Sequence, residues 1–184
     1  MNKVRSRDIK IAASDFRRKR AKLSAKLFTR YPFLVKLWAR HSTLLEFSES
    51  PWAEMSKPIP ACRLALVTTS GVHLHSQTPF NMKDSTGDAT FREIPAETSR
   101  ENLTITHDYY DHSDADKDIN IVFPLERVLD LKKLAEIGDV NYRHFSFMGH
   151  ITNHHVHTLM RDTAPQVASA LKADGVDIVI LTPA

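Results

Sequence analysis

Eight of the ten histidines in this 184-residue sequence lie at or just after segments that are predicted to be strands. They occur in TTSGVHLH, THDYYDHSDAD and MGHITNHHVH, as His73, His75, His107, His112, His150, His154, His155 and His157. An imidazole can take up or release a proton near neutral pH, which suits it to acid–base chemistry. The carboxyl ends of parallel strands meet at one edge of a sheet, where ligands commonly bind. We therefore predict a functional face at this rim.

His107, Asp108 and His112 are the candidate proton-transfer groups in the second of these segments. Asp108, Asp111 or Asp114 could fix the tautomer of a neighbouring imidazole. The same residue types also close loops through local hydrogen bonds, so each of these side chains has a structural alternative.

The histidines after His150 raise the question of a metal site. His150 and His154 are four residues apart, a spacing that places two imidazoles on one face of a helix. A solvent-facing run of histidines is the more common explanation, and no H-E-x-x-H motif accompanies the run. We therefore expect no metal ion.

The segment Thr68 to Gly71 places hydroxyl groups and a glycine at the end of the first predicted strand. It could present hydroxyl and backbone N–H groups to an anionic substrate. It lacks the G-x-G-x-x-G pattern, so a dinucleotide is not indicated. The single cysteine, Cys62, excludes an internal disulfide and dithiol chemistry within these residues.

Strands and helices in alternation must position these groups. Strands are predicted at RLALVTT, LTITHD, HFSFMGH and VDIVILT, with a shorter one at FREIP and a polar loop between Val72 and Thr90. Helical spacing covers Leu125 to Ile137, opened by Pro124 and closed by Gly138, and Thr163 to Ala173. This order predicts an α/β fold with a Rossmann-like parallel sheet in three layers. The last run, GVDIVILTPA, is typical of a fully buried strand.

Charge is distributed unevenly along the chain. Residues 1–40 have a net charge of +11, and residues 41–184 have a net charge of −8. A thin apolar stripe between residues 8 and 30 predicts a basic amphipathic helix that ends at Tyr31-Pro32. We predict a helical arm over 1–50, a proline-containing linker over 51–61 and an α/β domain over 62–184.

The basic arm is expected to dock on the acidic body or on a partner subunit. A basic helix is also compatible with nucleic acid or a membrane surface, although we expect neither as a partner. No apolar run is long enough for a membrane span or a signal peptide, which indicates a cytoplasmic protein.

Long stretches of the sequence resemble the amino-terminal half of the selenoprotein B subunits of the glycine/sarcosine/betaine/D-proline reductase family. The stretches are VTTSGVHLHSQTPFN, GDATFREIPAET, LTITHDYYDHSDADKDINIVFPLERVLDL, RHFSFMGHI and LKADGVDIVILTPA. They extend from about Trp52 to Ala184, about 70% of the chain. The block from THDYYDHSDAD to NIVFPLERV is very specific.

The resemblance implies a redox centre directly after Ala184. In the family, a strand ending like LTPA is followed by selenocysteine or cysteine, then Pro, then Cys two positions further on, and then a second α/β half. Selenocysteine is encoded by UGA, so translation that treats UGA as a stop would end at Ala184. We therefore expect this chain to be half of a larger two-lobed protein, truncated at its carboxyl end.

The resemblance also implies an activity and a set of roles. The family reductively cleaves a C–N bond of a small amine, with a selenolate or thiolate attacking the carbon that bears the nitrogen. The expected proton-transfer groups are His107, Asp108 and His112. The expected pocket residues are Thr69, Ser70, His73 and His150. We expect no cofactor in this chain, a pyruvoyl group on a partner subunit in some systems, other reductase subunits as partners, and an oligomer.

Three alternatives stay open. The first is a selenocysteine or cysteine oxidoreductase that acts on a thiol, a peroxide or another small compound. The second is a non-catalytic α/β module that binds a partner and needs no residue after Ala184. The third is a histidine-rich metal hydrolase, which predicts stoichiometric zinc or iron in the purified protein.

Overall fold

This computed structural model describes residue 16, residues 19–40 and residues 53–183. The helices are α1 (19–30), α2 (Pro32–Ala39), α3 (Leu125–Lys133), α4 (His154–Thr158) and α5 (Ala164–Ala173). The strands are β1 (Arg63–Thr68), β2 (Val72–Leu74), β3 (Arg92–Pro95), β4 (Leu103–Ile105), β5 (Asp139–Val140), β6 (Arg143–Ser146) and β7 (Ile178–Thr182). A π-helical turn, Leu159–Thr163, joins α4 to α5. None of the helices within these ranges is long and apolar enough to cross a bilayer.

Internal contacts divide the chain into two units. The first comprises Met1–Glu54 and Asp108–Asp111, and the second comprises Met55–His107 and His112–Ala184. The predicted arm, linker and α/β domain stay predictions. Part of the arm, the start of the linker and Ala184 lie outside the described residues.

The first unit contains the helices α1 and α2, with a break at Tyr31. This break is the predicted one, because the residue before a proline is disfavoured in helical conformation. The apolar side chains of α1 are sparse, and Leu23 and Leu27 are exposed. Ile9 and Ala13 of the predicted stripe lie outside the described residues.

β1 is the central strand of the second unit. On one edge it pairs in parallel with β7, from Leu64↔Ile178 to Thr68↔Thr182. On the other edge it pairs in parallel with β5 near its start and with β6 near its end. β3 runs antiparallel along the outer edge of β6. The predicted α/β class is confirmed, and the sheet is mixed where an entirely parallel one was expected.

β2 and β4 form a separate antiparallel pair, in which Val72 lies opposite Ile105. The sequence predicted a loop at the position of β2. Gly71 has a φ of 73°, a left-handed conformation that turns the chain out of the direction of β1. After this turn, Val72–Leu74 leaves the sheet of β1 and pairs with β4 in a separate two-stranded ladder.

The predicted closure of α3 at Gly138 is wrong. The helix ends at Lys133, and Ala135 has a φ of 57°. This left-handed residue ends the helical hydrogen-bonding pattern before the glycine is reached. As a result Leu134, which was predicted to lie on the apolar stripe, is exposed.

The prediction that the last strand is fully buried is also wrong. Residues along β7 alternate between half-buried and exposed, and Leu181 is 71% exposed. Within the described residues β7 pairs with β1 only, so it forms an edge of the sheet. The apolar face of β7 is therefore open to solvent.

One face of the sheet packs against α5. The buried cluster there consists of Ala65, Phe145, Phe147, Val167 and Leu171. Because successive strand residues point to opposite faces, the neighbours of Phe145 in β6 point away from α5. This places His144 on the other face, where its ring meets Phe123 at a centroid distance of 6.0 Å.

His144 is a core histidine, fully buried in the centre of the sheet. Its Nδ1 accepts a hydrogen bond from the backbone N–H of Leu66 at 3.0 Å. The proton of the neutral ring is therefore on Nε2, which has no hydrogen-bond partner among the described residues. Burial disfavours the charged ring and lowers the pKa of His144 to about 4.

This lowered pKa predicts acid sensitivity of the fold. The unfolded chain binds a proton at His144 near pH 6.5, whereas the folded chain does not until about pH 4. Stability is therefore lost as the pH falls from 6.5 to 4, by about 3 kcal/mol at the lower limit. His144→Asn retains an acceptor near the Leu66 N–H and does not titrate. We expect urea unfolding between pH 4 and 7 to show a smaller loss in this variant. An identical loss in both proteins would contradict the assignment.

Candidate functional site

Backbone hydrogen bonds join the segments that follow β1, β4, β6 and β7. The N–H of Thr69 donates to the carbonyl of Thr182 at 3.0 Å. The N–H of Gly71 donates to the carbonyl of Phe147, and the carbonyl of Gly71 accepts from the N–H of Thr106, both at 2.9 Å. The structure thus brings these four segments together.

Hydroxyl groups add a second set of links at the same place. The side-chain oxygens of Ser70 and Thr68 lie 2.7 Å apart. The carbonyl of Val122 accepts hydrogen bonds from the hydroxyls of Thr68, at 2.9 Å, and Thr182, at 2.7 Å. Ser70 is fully buried, so its hydroxyl faces this internal cluster. Thr69, its neighbour and the other hydroxyl-bearing pocket candidate, is half-buried.

His107 lies beside Gly71, where a built Cβ would be 3.2 Å from the Cβ of His107, and it is 4% exposed. Its Nε2 accepts a hydrogen bond from the backbone N–H of Gly149 at 3.1 Å. A neutral imidazole that accepts at Nε2 has its proton on Nδ1. His107 therefore links the end of β4 to the segment after β6. The lone pair of its Nε2 is occupied by the hydrogen bond from Gly149.

His73 is held by hydrogen bonds at both ring nitrogens. Its Nδ1 donates to the carbonyl of Leu74, and its Nε2 is 2.8 Å from the hydroxyl of Thr106. Burial lowers the pKa of His73, so the ring is neutral near pH 7. To bind a substrate, the His73 ring would have to break its hydrogen bond to either Leu74 or Thr106.

Asp108 belongs to the first unit, together with helix α1. Its side chain is 5% exposed, and its Oδ1 lies 3.1 Å from the Nζ of Lys22. The positive charge of Lys22 offsets part of the cost of burying this carboxylate. The basic arm thus provides a counter-ion for one of the predicted proton-transfer groups.

His112 is paired with a carboxylate that the sequence did not single out. Its Nδ1 lies 2.8 Å from Asp116 Oδ2, whereas Asp108, Asp111 and Asp114 were the expected partners. His112 and Asp116 are four residues apart in a turn, and the side chain of His112 is 25% exposed. Asp116 also lines a depression of about 270 Å³ beside β4. The imidazole is oriented by a carboxylate as predicted, but by a different one.

His150 is half-buried and is held by the loop between β2 and β3. Its Nε2 donates to the carbonyl of Ser85 at 3.0 Å. Gly87 has a φ of 102°, and a side chain there would collide with the carbonyl of His150. The glycine therefore permits the close approach of the two segments.

The chain matches the family model for glycine/sarcosine/betaine reductase selenoprotein B over residues 38–184. The match includes the whole of the mixed sheet and the strand ends described above. The chain belongs to this family.

A similar protein supports the same conclusion. The chain is 34% identical over 131 residues to D-proline reductase subunit gamma of Acetoanaerobium sticklandii. The aligned part is 71% of this chain and 52% of the relative, so the chain spans about half the length of that protein. No solved structure matches the chain. The resemblance noted from the sequence motifs is confirmed.

The seven predicted site residues all lie inside the selenoprotein B match. The structure gathers Thr69, Ser70, His73 and His107 around the ends of β1 and β4, and it ties His150 to a separate loop. Their roles stay predictions, as do those of Asp108 and His112.

Sequence reasoning missed several partners of the candidate residues. The carbonyl of Val122 carries no signal in the sequence, because any residue could provide it. Asp116 had a usable signal, since a spacing of four residues from His112 favours contact in a turn. Asp84 lies far from the histidines in sequence, and only the fold places it beside His155, at 3.2 Å.

Proposed function

We propose that this chain is the amino-terminal half of a reductase subunit that cleaves a C–N bond in a small amine. The candidates are glycine, sarcosine, betaine and D-proline. The observation that carries the proposal is the family match, which extends through the last strand to residue 184. The attacking selenolate or thiolate would follow Ala184.

The end of β7 supports this placement. Thr182 is bound through its carbonyl to Thr69 and through its hydroxyl to Val122. A residue two or three positions further along the chain would start beside the buried cluster of Ser70 and Thr68. We infer that a nucleophile there would lie near the segment that contains His107, because Thr182 bonds to Thr69 and Gly71 bonds to Thr106.

The open face of β7 supports the proposal that a second lobe completes the protein. A groove of about 410 Å³ lies between β7 and α5, and its lining includes Val67, Leu171, Val176, Val179 and Leu181. An apolar groove next to an unpaired strand edge is normally covered in a finished fold. We propose that a second lobe packs here, since the aligned residues make up only 52% of the relative.

In this proposal His107, Asp108 and His112 move protons to the leaving amine, and Thr69, Ser70, His73 and His150 surround the substrate. A selenolate would displace the amine and form a Se–C bond. A neighbouring Cys thiolate would then attack the selenium, so that the carbon leaves with the electron pair and takes up a proton, and a selenide–sulfide remains for an external dithiol to reduce. A selenol ionises more readily than a thiol, so it needs less help from positive neighbours. A pyruvoyl group on a partner subunit, an oligomeric assembly and a cytoplasmic location stay predictions.

A second candidate function is a non-catalytic partner module. It is favoured by the internal hydrogen bonds of Ser70 and His73, which are those expected of purely structural residues. An oxidoreductase of the same architecture with a different small substrate is a further alternative. Of the three candidate functions, only the amine reductase consumes an amine.

The first test is the nucleotide sequence after the Ala184 codon. We expect UGA or a Cys codon, followed by an open frame that encodes Pro and a second Cys. The protein made by read-through should consume D-proline or glycine in the presence of its partner subunits and a dithiol reductant. An ordinary stop codon with no continuing frame would overturn the proposal and favour the partner module. Read-through protein that consumes a thiol or peroxide but no amine would favour the alternative oxidoreductase.

A further inference from the structure

On the second unit, hydrogen bonds join a loop to the segment that leads into α4. The loop is residues 84–88, and the segment is residues 150–155. The backbone N–H of Thr152 donates to the carbonyl of Thr86 at 2.8 Å, and Gly87 forms an antiparallel bridge with Ile151. These links bring Asp84 to the first residues of α4.

Three potential ligand side chains meet at this junction. They are Asp84, His154 and His155, and one ligand atom from each lies within 4.8 Å of the other two. The Nε2 of His155 is 3.2 Å from Oδ2 of Asp84. The two imidazole rings have a centroid distance of 4.1 Å and an interplanar angle of 36°.

The carboxylate of this cluster is oriented before any ligand arrives. Oδ1 of Asp84 accepts hydrogen bonds from the N–H of Thr86 at 2.8 Å and from its hydroxyl at 2.6 Å. This leaves Oδ2 directed at His155. A prearranged ligand loses less side-chain freedom on binding, which favours a defined site over a loose contact.

Two adjacent imidazoles beside a carboxylate are suited to a transition-metal ion. Zinc binds neutral imidazole nitrogen at about 2.0–2.1 Å and carboxylate oxygen at about 2.0–2.2 Å. His154 is exposed, so its ring can rotate to shorten the longer separations. Three protein ligands leave one tetrahedral position for water.

We propose that Asp84, His154 and His155 bind one divalent transition-metal ion of the zinc class, which clamps the 84–88 loop to the start of α4. From the sequence we expected no metal, because a solvent-facing run of histidines is more common and no H-E-x-x-H motif accompanies this one. The proposal differs because the fold adds a carboxylate from a segment 70 residues away. His150, a proposed pocket residue, is the first residue of one of the two clamped segments, so the ion would fix the position of its backbone.

The test is calorimetric titration of the metal-free 184-residue chain with zinc alone. We expect one saturable equivalent, and we expect Asp84→Asn or His154→Ala to weaken its binding at least tenfold. The matched control is His157→Ala, because His157 is an exposed histidine of the same helix that lies outside the cluster. It should change the affinity less than twofold.

Thermal unfolding provides a readout that does not depend on enzyme activity. Zinc should raise the melting temperature of the original chain and of His157→Ala, but not of His154→Ala. Circular dichroism in the absence of metal should be the same for all variants, because His154 is exposed. Absence of saturable binding, or equal weakening by His157→Ala and His154→Ala, would overturn the proposal.

Discussion

Replacement of Gly71 by Ala is expected to destabilise the second unit by about 3 to 5 kcal/mol. The left-handed backbone at this position costs an L-residue about 1–2 kcal/mol. An added Cβ would also lie 2.5 Å from the carbonyl oxygen of Thr106, which is backbone and cannot rotate away. To relieve this clash, the chain at Thr106 must move, which adds to the loss of stability. The same movement would displace the neighbouring His107.

Gly175→Ala is the matched control for this prediction. Gly175 has a φ of 71°, but the nearest atom to an added Cβ is 3.7 Å away, on the side chain of Arg63. This variant therefore has the backbone cost without the clash, and we expect a loss of about 1–2 kcal/mol. Urea unfolding of both variants measures the difference. Equal losses would show that the contact with Thr106 is relieved at little cost.

His107→Gln is expected to lower amine turnover of the read-through protein by about 10² to 10⁴-fold, the range of general acid–base catalysis. The side-chain oxygen of Gln can accept the hydrogen bond from Gly149 that His107 accepts at 3.1 Å. It cannot transfer a proton at neutral pH. The variant should therefore fold and lose activity.

Two further variants separate proton transfer from positioning by His107. His107→Ala removes the acceptor as well as the ring, so it should lose stability together with turnover. His75→Ala changes an exposed histidine of the same region and should alter turnover less than twofold. If His107→Gln retains full turnover while His107→Ala does not, His107 positions Gly149 and takes no part in proton transfer.

The elements best predicted from sequence are those with strong local patterns. RLALVT and IVILT are apolar runs that form paired central and edge strands, and the break before Pro32 follows from steric rules. The direction of β3 could not be predicted, because a four-residue strand pairs equally well in either direction. The exposure of Leu181 could not be predicted either, because an apolar run does not reveal whether its strand lies at an edge.

The segments of Ser70 and His107 meet in the structure, but not in the way that the sequence predicted. β4 belongs to the small β2–β4 ladder and not to the sheet of β1, and the two segments are joined by the hydrogen bond between Gly71 and Thr106. The burial and the internal partners of Ser70 and His107 depend on long-range packing, for which the sequence carries no local signal. The pairing of His112 with Asp116 could be predicted only if the turn between them were already known.

The pairing of β1 with β7 also sets the order in which this half can be assembled. Thr68 and Thr182 are partners in the sheet but are 114 residues apart. At about 5–20 residues per second, a ribosome needs roughly 6–23 s to make the intervening chain. Both edges of β1 lack a partner until β5 and β6 have been made, and the edge that pairs with β7 stays unpaired for the whole of that time. Contacts of such long sequence separation form slowly, so the central strand of this sheet is paired late.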